Sequence, residues 1–119
     1  MTLKEVKDIL NAEVLCGEHL LDQEVITAFA CDLISEMLSL ASSNTLIITS
    51  LINPHVIHTA EVMDAVGVIF VGGKKPSEDI INNLNRGNIP LLSTPFLIFN
   101  ACGLLFSNGI EGCMRGKTQ

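Results

Sequence analysis

Three short runs hold the residues whose types could do chemistry: Ser50-Leu51-Ile52-Asn53, Gly72-Gly73-Lys74-Lys75 and Ser93-Thr94. Each follows an apolar stretch and leads into a proline, at Pro54, Pro76 and Pro95. A proline at the first helical position loses no needed hydrogen bond, so each run reads as a loop between a strand and a helix amino terminus. Free backbone N–H groups and the helix dipole attract anions at such ends. Gly72 and Gly73 let the backbone approach a ligand closely. Lys74 and Lys75 supply positive charge, and Ser50, Asn53, Ser93 and Thr94 supply hydroxyl and amide groups. These eight residues form an expected site for a phosphate, a carboxylate or a nucleotide. A plainer reading stands beside it: the glycines serve only the turn, and Asn53 and Thr94 only cap helices.

Catalytic patterns are missing from the chain. It has no Gly-x-x-x-x-Gly-Lys-Ser/Thr loop, no Gly-x-Gly-x-x-Gly and no Gly-x-Ser-x-Gly elbow. The three loops carry no Asp or Glu to hold Mg²⁺ or move protons, and Glu78 and Asp79 suit the first turn of a helix. His55 and His58 lie three apart on one expected helix without a matched third ligand, which fits a solvated face and no metal. Cys16, Cys31, Cys102 and Cys113 show no Cys-x-x-Cys spacing and read as small buried apolar residues. No cofactor is expected.

The elements that must position these loops follow from periodicity. Leu3, Val6 and Leu10 mark a first helix capped by Thr2. Glu13 to Cys16 reads as a strand ended by Gly17, and Val25 to Cys31 as a second. Asp32 is placed to cap a helix with Ile34, Met37, Leu38 and Ala41 on one face, broken by Ser42-Ser43-Asn44. Strands over 45–49, 66–71 and 88–92 lack polar alternation, which fits burial on both faces of a parallel sheet. The intervening helices present Val56, Ile57, Ala60 and Met63, then Ile80, Ile81 and Leu84, the latter closed by Arg86-Gly87. Such alternation predicts an α/β fold: a three-layer, mostly parallel sheet of about five strands with helices on its faces. Ligands of such sheets collect at the carboxyl ends of the strands.

The last helix, Phe96 to Phe106, is apolar nearly all round. A helix covered on one side shows a polar face. This one is therefore a dimer-contact candidate through Phe96, Phe99, Leu105 and Phe106, or else a helix wedged between the sheet and the amino-terminal elements.

The bulk numbers bound the rest. A chain of 119 residues fits one domain, expected over 1–113 with a disordered tail over 114–119. Apolar residues make up 48%, high for this length, which also suggests a second copy covering surface. The formal net charge of −6 argues against nucleic acid as a partner. No apolar run approaches the roughly 18 residues of a membrane helix, and the polar start Met-Thr-Leu-Lys-Glu-Val suggests no signal peptide, so a cytoplasmic location is expected.

Two segments carry a family resemblance: Ile-Phe-Val-Gly-Gly-Lys-Lys-Pro-Ser-Glu-Asp-Ile over 69–80 and Asn-Ile-Pro-Leu-Leu-Ser-Thr-Pro over 88–95. With the upstream Leu-Ile-Ile-Thr-Ser over 46–50, the chain resembles the DRTGG domain over about residues 1 to 110. That family occurs as a regulatory or dimerising insert in CBS-containing inorganic pyrophosphatases and near the amino end of some phosphotransacetylases. It also resembles the amino-terminal domain of HPr kinase/phosphorylase, whose kinase activity sits in a separate P-loop domain. The resemblance implies an α/β domain that pairs with itself and has no kinase activity of its own. Only Gly72-Gly73 stands for the glycines of the family name. No Asp-Arg-Thr precedes them, and Ser50-Leu51-Ile52-Asn53 lies where many members carry charge.

The resulting expectation is a non-catalytic regulatory module, a homodimer that senses a small anionic or nucleotide ligand or docks on a partner enzyme. The alternatives are a small enzyme acting on a phosphorylated metabolite or nucleotide and a scaffold without ligand.

Overall fold

A computed structural model describes residues 1–39, 44–83 and 89–113. In chain order these are α1 (Leu3–Ile9), β1 (Glu13–Cys16), a 3-10 turn (Glu18–Leu20), β2 (Thr27–Ala30), α2 (Ile34–Ser39), β3 (Thr45–Thr49), α3 (Pro54–Val62), β4 (Gly67–Phe70), α4 (Glu78–Asn83), β5 (Leu91–Ser93), α5 (Ile98–Ser107) and β6 (Glu111–Gly112). The sheet order is β1-β5-β4-β3-β2-β6. β6, β2, β3, β4 and β5 run parallel, and β1 runs antiparallel along β5. The expected parallel centre is present, and β2 belongs to it. β6 is a sixth strand that the sequence did not announce, because two residues are too few to show a period.

Strand alternation divides the core into two layers. Leu46, Ile48, Ile69 and Leu92 face α1 and α5, meeting Leu3, Val6, Leu10, Ala101 and Leu105. Ile47, Val68, Phe70 and Leu91 face the other way and meet Met37, Val56, Ile57 and Ala60 of α2 and α3. All of β3 and β4 is buried, as apolar strands without alternation require. α1 begins with a full capping box between Thr2 and Glu5.

Several local expectations are corrected. Asp32 does not cap α2; its carboxylate is engaged with β3 and the loop after it. Pro76 is buried ahead of α4, and the Ser77 hydroxyl accepts from the Ile80 amide to cap it. α5 begins at Ile98 with Leu97 as an N-cap lacking a side-chain bond, so Thr94-Pro95 is not its start. β5 begins at Leu91 because Pro90 has no N–H to donate; its carbonyl instead accepts from the Val68 amide at 3.0 Å. The four cysteines are half-buried and free, and burial pushes the Cys16 and Cys102 thiols up. Ala41, Ser42 and Ser43 of the α2 reading, Leu84 and Arg86-Gly87 of the α4 reading, and the tail 114–119 lie outside the described residues.

Candidate binding edge and the face of α5

Parallel register brings the ends of β2, β3, β4 and β5 to one edge, with the start of antiparallel β1 beside them through the Glu13–Ser93 pairing. The topology thus gathers Ser50, Asn53, Gly72, Gly73, Lys74, Lys75, Ser93 and Thr94 along that edge, as read from sequence. What each group does there differs.

The edge does hold a carboxylate, contrary to the sequence reading. Asp32 follows β2, and the Thr49 hydroxyl and Ser50 amide each donate to its Oδ1 at 2.8 Å. The Ser50 hydroxyl donates to its Oδ2. Partial burial raises the Asp32 carboxyl, but the bonds from Ser50 and Thr49, with the nearby charge of Lys74, outweigh it and hold the group below the usual aspartate range. Asp32 escaped sequence reading because Asp before a helical period is an ordinary cap signal. The cue was that it directly follows a strand whose neighbour ends in Thr49-Ser50.

Such a group makes stability depend on pH. The bonds form with the ionised carboxylate, so their contribution is complete above the unfolded value of about 3.9 and is lost as pH falls through the lower folded value. Asp32→Ala takes the acceptor from the buried Thr49 hydroxyl and from the Ser50 amide and hydroxyl, and is expected to cost about 1–2 kcal/mol at neutral pH. In urea titrations the gap between wild type and Asp32→Ala narrows below about pH 4. A gap that stays constant down to acid pH removes Asp32 as the cause.

The glycine loop is already engaged. Gly72 and Gly73 take φ of +70° and +73°, which glycine adopts without strain. Their amides donate to Phe96 O and Thr94 O, each at 2.8 Å, so neither points freely at the edge. The Ser93 hydroxyl donates to Lys74 O at 2.7 Å. Thr94 is fully buried, donating to Leu10 O at 2.6 Å and accepting from the Phe96 amide at 3.2 Å. Asn53 Oδ1 accepts from the Val56 amide at 3.1 Å and caps α3. Lys75 Nζ lies 2.8 Å from Glu13 Oε1. This leaves the exposed Lys74 ammonium, near the Asp32–Ser50 pair, as the freest charged group of the eight. The edge can therefore take an anion through Lys74 with no large reorganisation, but not through a ready nest of loop amides.

His55 and His58 are exposed, and the described residues hold no cluster of three His, Cys, Asp or Glu suited to a metal ion. No described helix is long and apolar enough to cross a membrane.

α5 separates into two faces. Ala101 and Leu105 are buried in the core, so Leu105 does not contribute to an exposed contact, and Phe96 is half-buried against the same layer. Leu97, Phe99 and Phe106 stand 69%, 84% and 73% exposed. The face that sequence left undivided is thus half core and half uncovered aromatic surface.

An α/β domain with a mostly parallel sheet, helices on both faces and a loop-built edge is the class this geometry defines. The DRTGG domain model matches residues 5–105, and the chain belongs to that family. Among solved structures, the crystal structure of the CBS and DRTGG domains of the regulatory region of Clostridium perfringens pyrophosphatase, complexed with the activator diadenosine tetraphosphate, shares the fold. The TM-score is 0.66 at 22% identity, over 87% of this chain. The chain spans 45% of the length of that one. No curated protein matches it.

Proposed function

We propose that the chain is a non-catalytic regulatory module that pairs with a second copy through the outer face of α5 and senses an anionic ligand, a nucleotide among them, or docks on a partner enzyme. The observation that carries the reading is the uncovered face of α5 in a chain of this family. Phe99 and Phe106 are 84% and 73% exposed, and aromatic side chains of roughly 150–250 Å² each leave several hundred Å² uncovered on one helix. A two-fold contact counts that area twice. With Leu97 and Leu104 added, it reaches the order of the 1,000 Å² that specific interfaces bury. The pyrophosphatase regulatory region with its bound activator supports the sensing half by family kinship.

Light scattering over a concentration series tests the pairing. Wild type is expected to run as a dimer, and Phe99→Ser/Phe106→Ser as a folded monomer. A wild-type monomer at high micromolar concentration sinks it. Thermal-shift titration with diadenosine tetraphosphate, ATP and inorganic phosphate tests the sensing. A ligand at a hundredfold its Kd adds about 2.7 kcal/mol, and Lys74→Ala abolishes the shift. Absence of any shift favours a scaffold, since Gly72, Gly73, Ser93 and Thr94 are all bonded within the fold. Mg²⁺-dependent turnover lost in Lys74→Ala makes the chain an enzyme instead.

A further inference from the structure

The outer face of α5 is built around a gap. Phe99, Gly103 and Phe106 are spaced four and three apart and share one side of the helix. Glycine is a poor residue for a helix interior, yet Gly103 sits mid-helix, and a Cβ there would meet nothing within 4 Å. Nothing inside the domain therefore requires glycine at this position. Two hollows lie beside it, one on each side. The first, about 320 Å³, lies between α5 and the β2–β6 edge, floored by Ala28, Ala30 and Gly112 and rimmed by Phe99 and Phe106. The second, also about 320 Å³, runs past Phe96, Asn100 and Leu104. Both are lined by Gly103.

Two projecting rings beside two apolar hollows on one face make a self-complementary surface. A two-fold contact needs that property, because each patch must fit its own copy. An unrelated partner would have no need for knob and hole to sit side by side. Glycine at the apex also lets two helix backbones approach more closely than side chains allow.

We propose that α5 of one copy crosses α5 of a second copy at Gly103, with the Phe99 and Phe106 rings of each copy seated in the hollows of the other. The inference rests on the pairing proposed above and adds the crossing point. It assigns Gly103 a role in specifying the interface: the domain leaves room for a side chain there, and the pair does not.

Gly103→Leu tests it, with Gly103→Ala as control. In the isolated domain the added Cβ meets open space and the rest of the Leu side chain has a hollow beside it, so circular dichroism is unchanged and the monomer's melting temperature is equal or higher. In the pair, Leu fills both hollows at the crossing, and sedimentation velocity should show the dimer Kd raised at least ~10-fold. Ala should raise it less. A dimeric wild type whose Kd is unchanged in Gly103→Leu overturns the crossing while leaving the pairing intact. A monomeric wild type overturns both and assigns the face to a different protein. If Gly103→Leu unfolds the domain, the open space beside Gly103 is wrong and the proposal falls with it.

Discussion

Gly17→Ala is expected to destabilise the domain by about 2–5 kcal/mol. Gly17 follows β1 at φ +81°, where an L side chain crowds its own carbonyl at about 1–2 kcal/mol. A Cβ there would also lie 2.6 Å from Pro90 Cα and 2.9 Å from Pro90 N. Those atoms are backbone and cannot swing aside, so the Ile89-Pro90 segment leading into β5 must shift, at a further cost of about 1–3 kcal/mol. Urea unfolding measures the effect, and the melting temperature should fall by about 10 °C or more. The consequence extends to the edge, because β5 ends at Ser93, whose hydroxyl holds the glycine loop through Lys74 O. A loss below about 0.5 kcal/mol would show that β1 and Pro90 do not approach so closely.

Thr94→Val should cost a similar amount, about 2–4 kcal/mol. Valine keeps the shape but not the hydroxyl, which joins the end of α1 to the β5–α5 connection across 84 residues of chain. Its loss leaves the buried Leu10 O without its partner, at about 1–3 kcal/mol, and the part-buried Phe96 amide without its acceptor, at about 1 kcal/mol. Thr94→Ser keeps the bond and should recover most of the loss. The experiment also separates two roles that sequence left open. A ligand-binding threonine loses ligand affinity with little change in the apo protein, whereas a structural one loses apo stability first. Geometry favours the second, and equal apo stability of wild type and Thr94→Val in urea would restore the first.

Legibility differed by the range of the interactions involved. Strand and helix existence was readable wherever one element buries a continuous surface: Thr45–Thr49 and Gly67–Phe70 are apolar without alternation because helices cover both sides of the sheet. Asn53-Pro54 announced α3 because cap and first turn are local chemistry. Thr94-Pro95 looked equally clear and failed, because the Thr94 hydroxyl is used by Leu10, far away in sequence. The same limit hid Asp32, whose partners lie on the neighbouring strand.

The sequence by itself therefore determined the class of fold, the family and the set of loops that share an edge, since periodicity and strand-loop-helix order dictate a parallel sheet whose connections return to one side. Only the tertiary structure decided which of those loop groups remain available. Gly72 and Gly73 donate to Phe96 and Thr94, Ser93 and Thr94 turn inward, and Lys74 stands exposed near Asp32 and Ser50, while Lys75, also exposed, pairs with Glu13. It likewise split the apolar α5 into a buried side at Ala101 and Leu105 and an uncovered side at Phe99, Gly103 and Phe106. Composition records how apolar a helix is, but only packing against the sheet determines which of its side chains are removed from water.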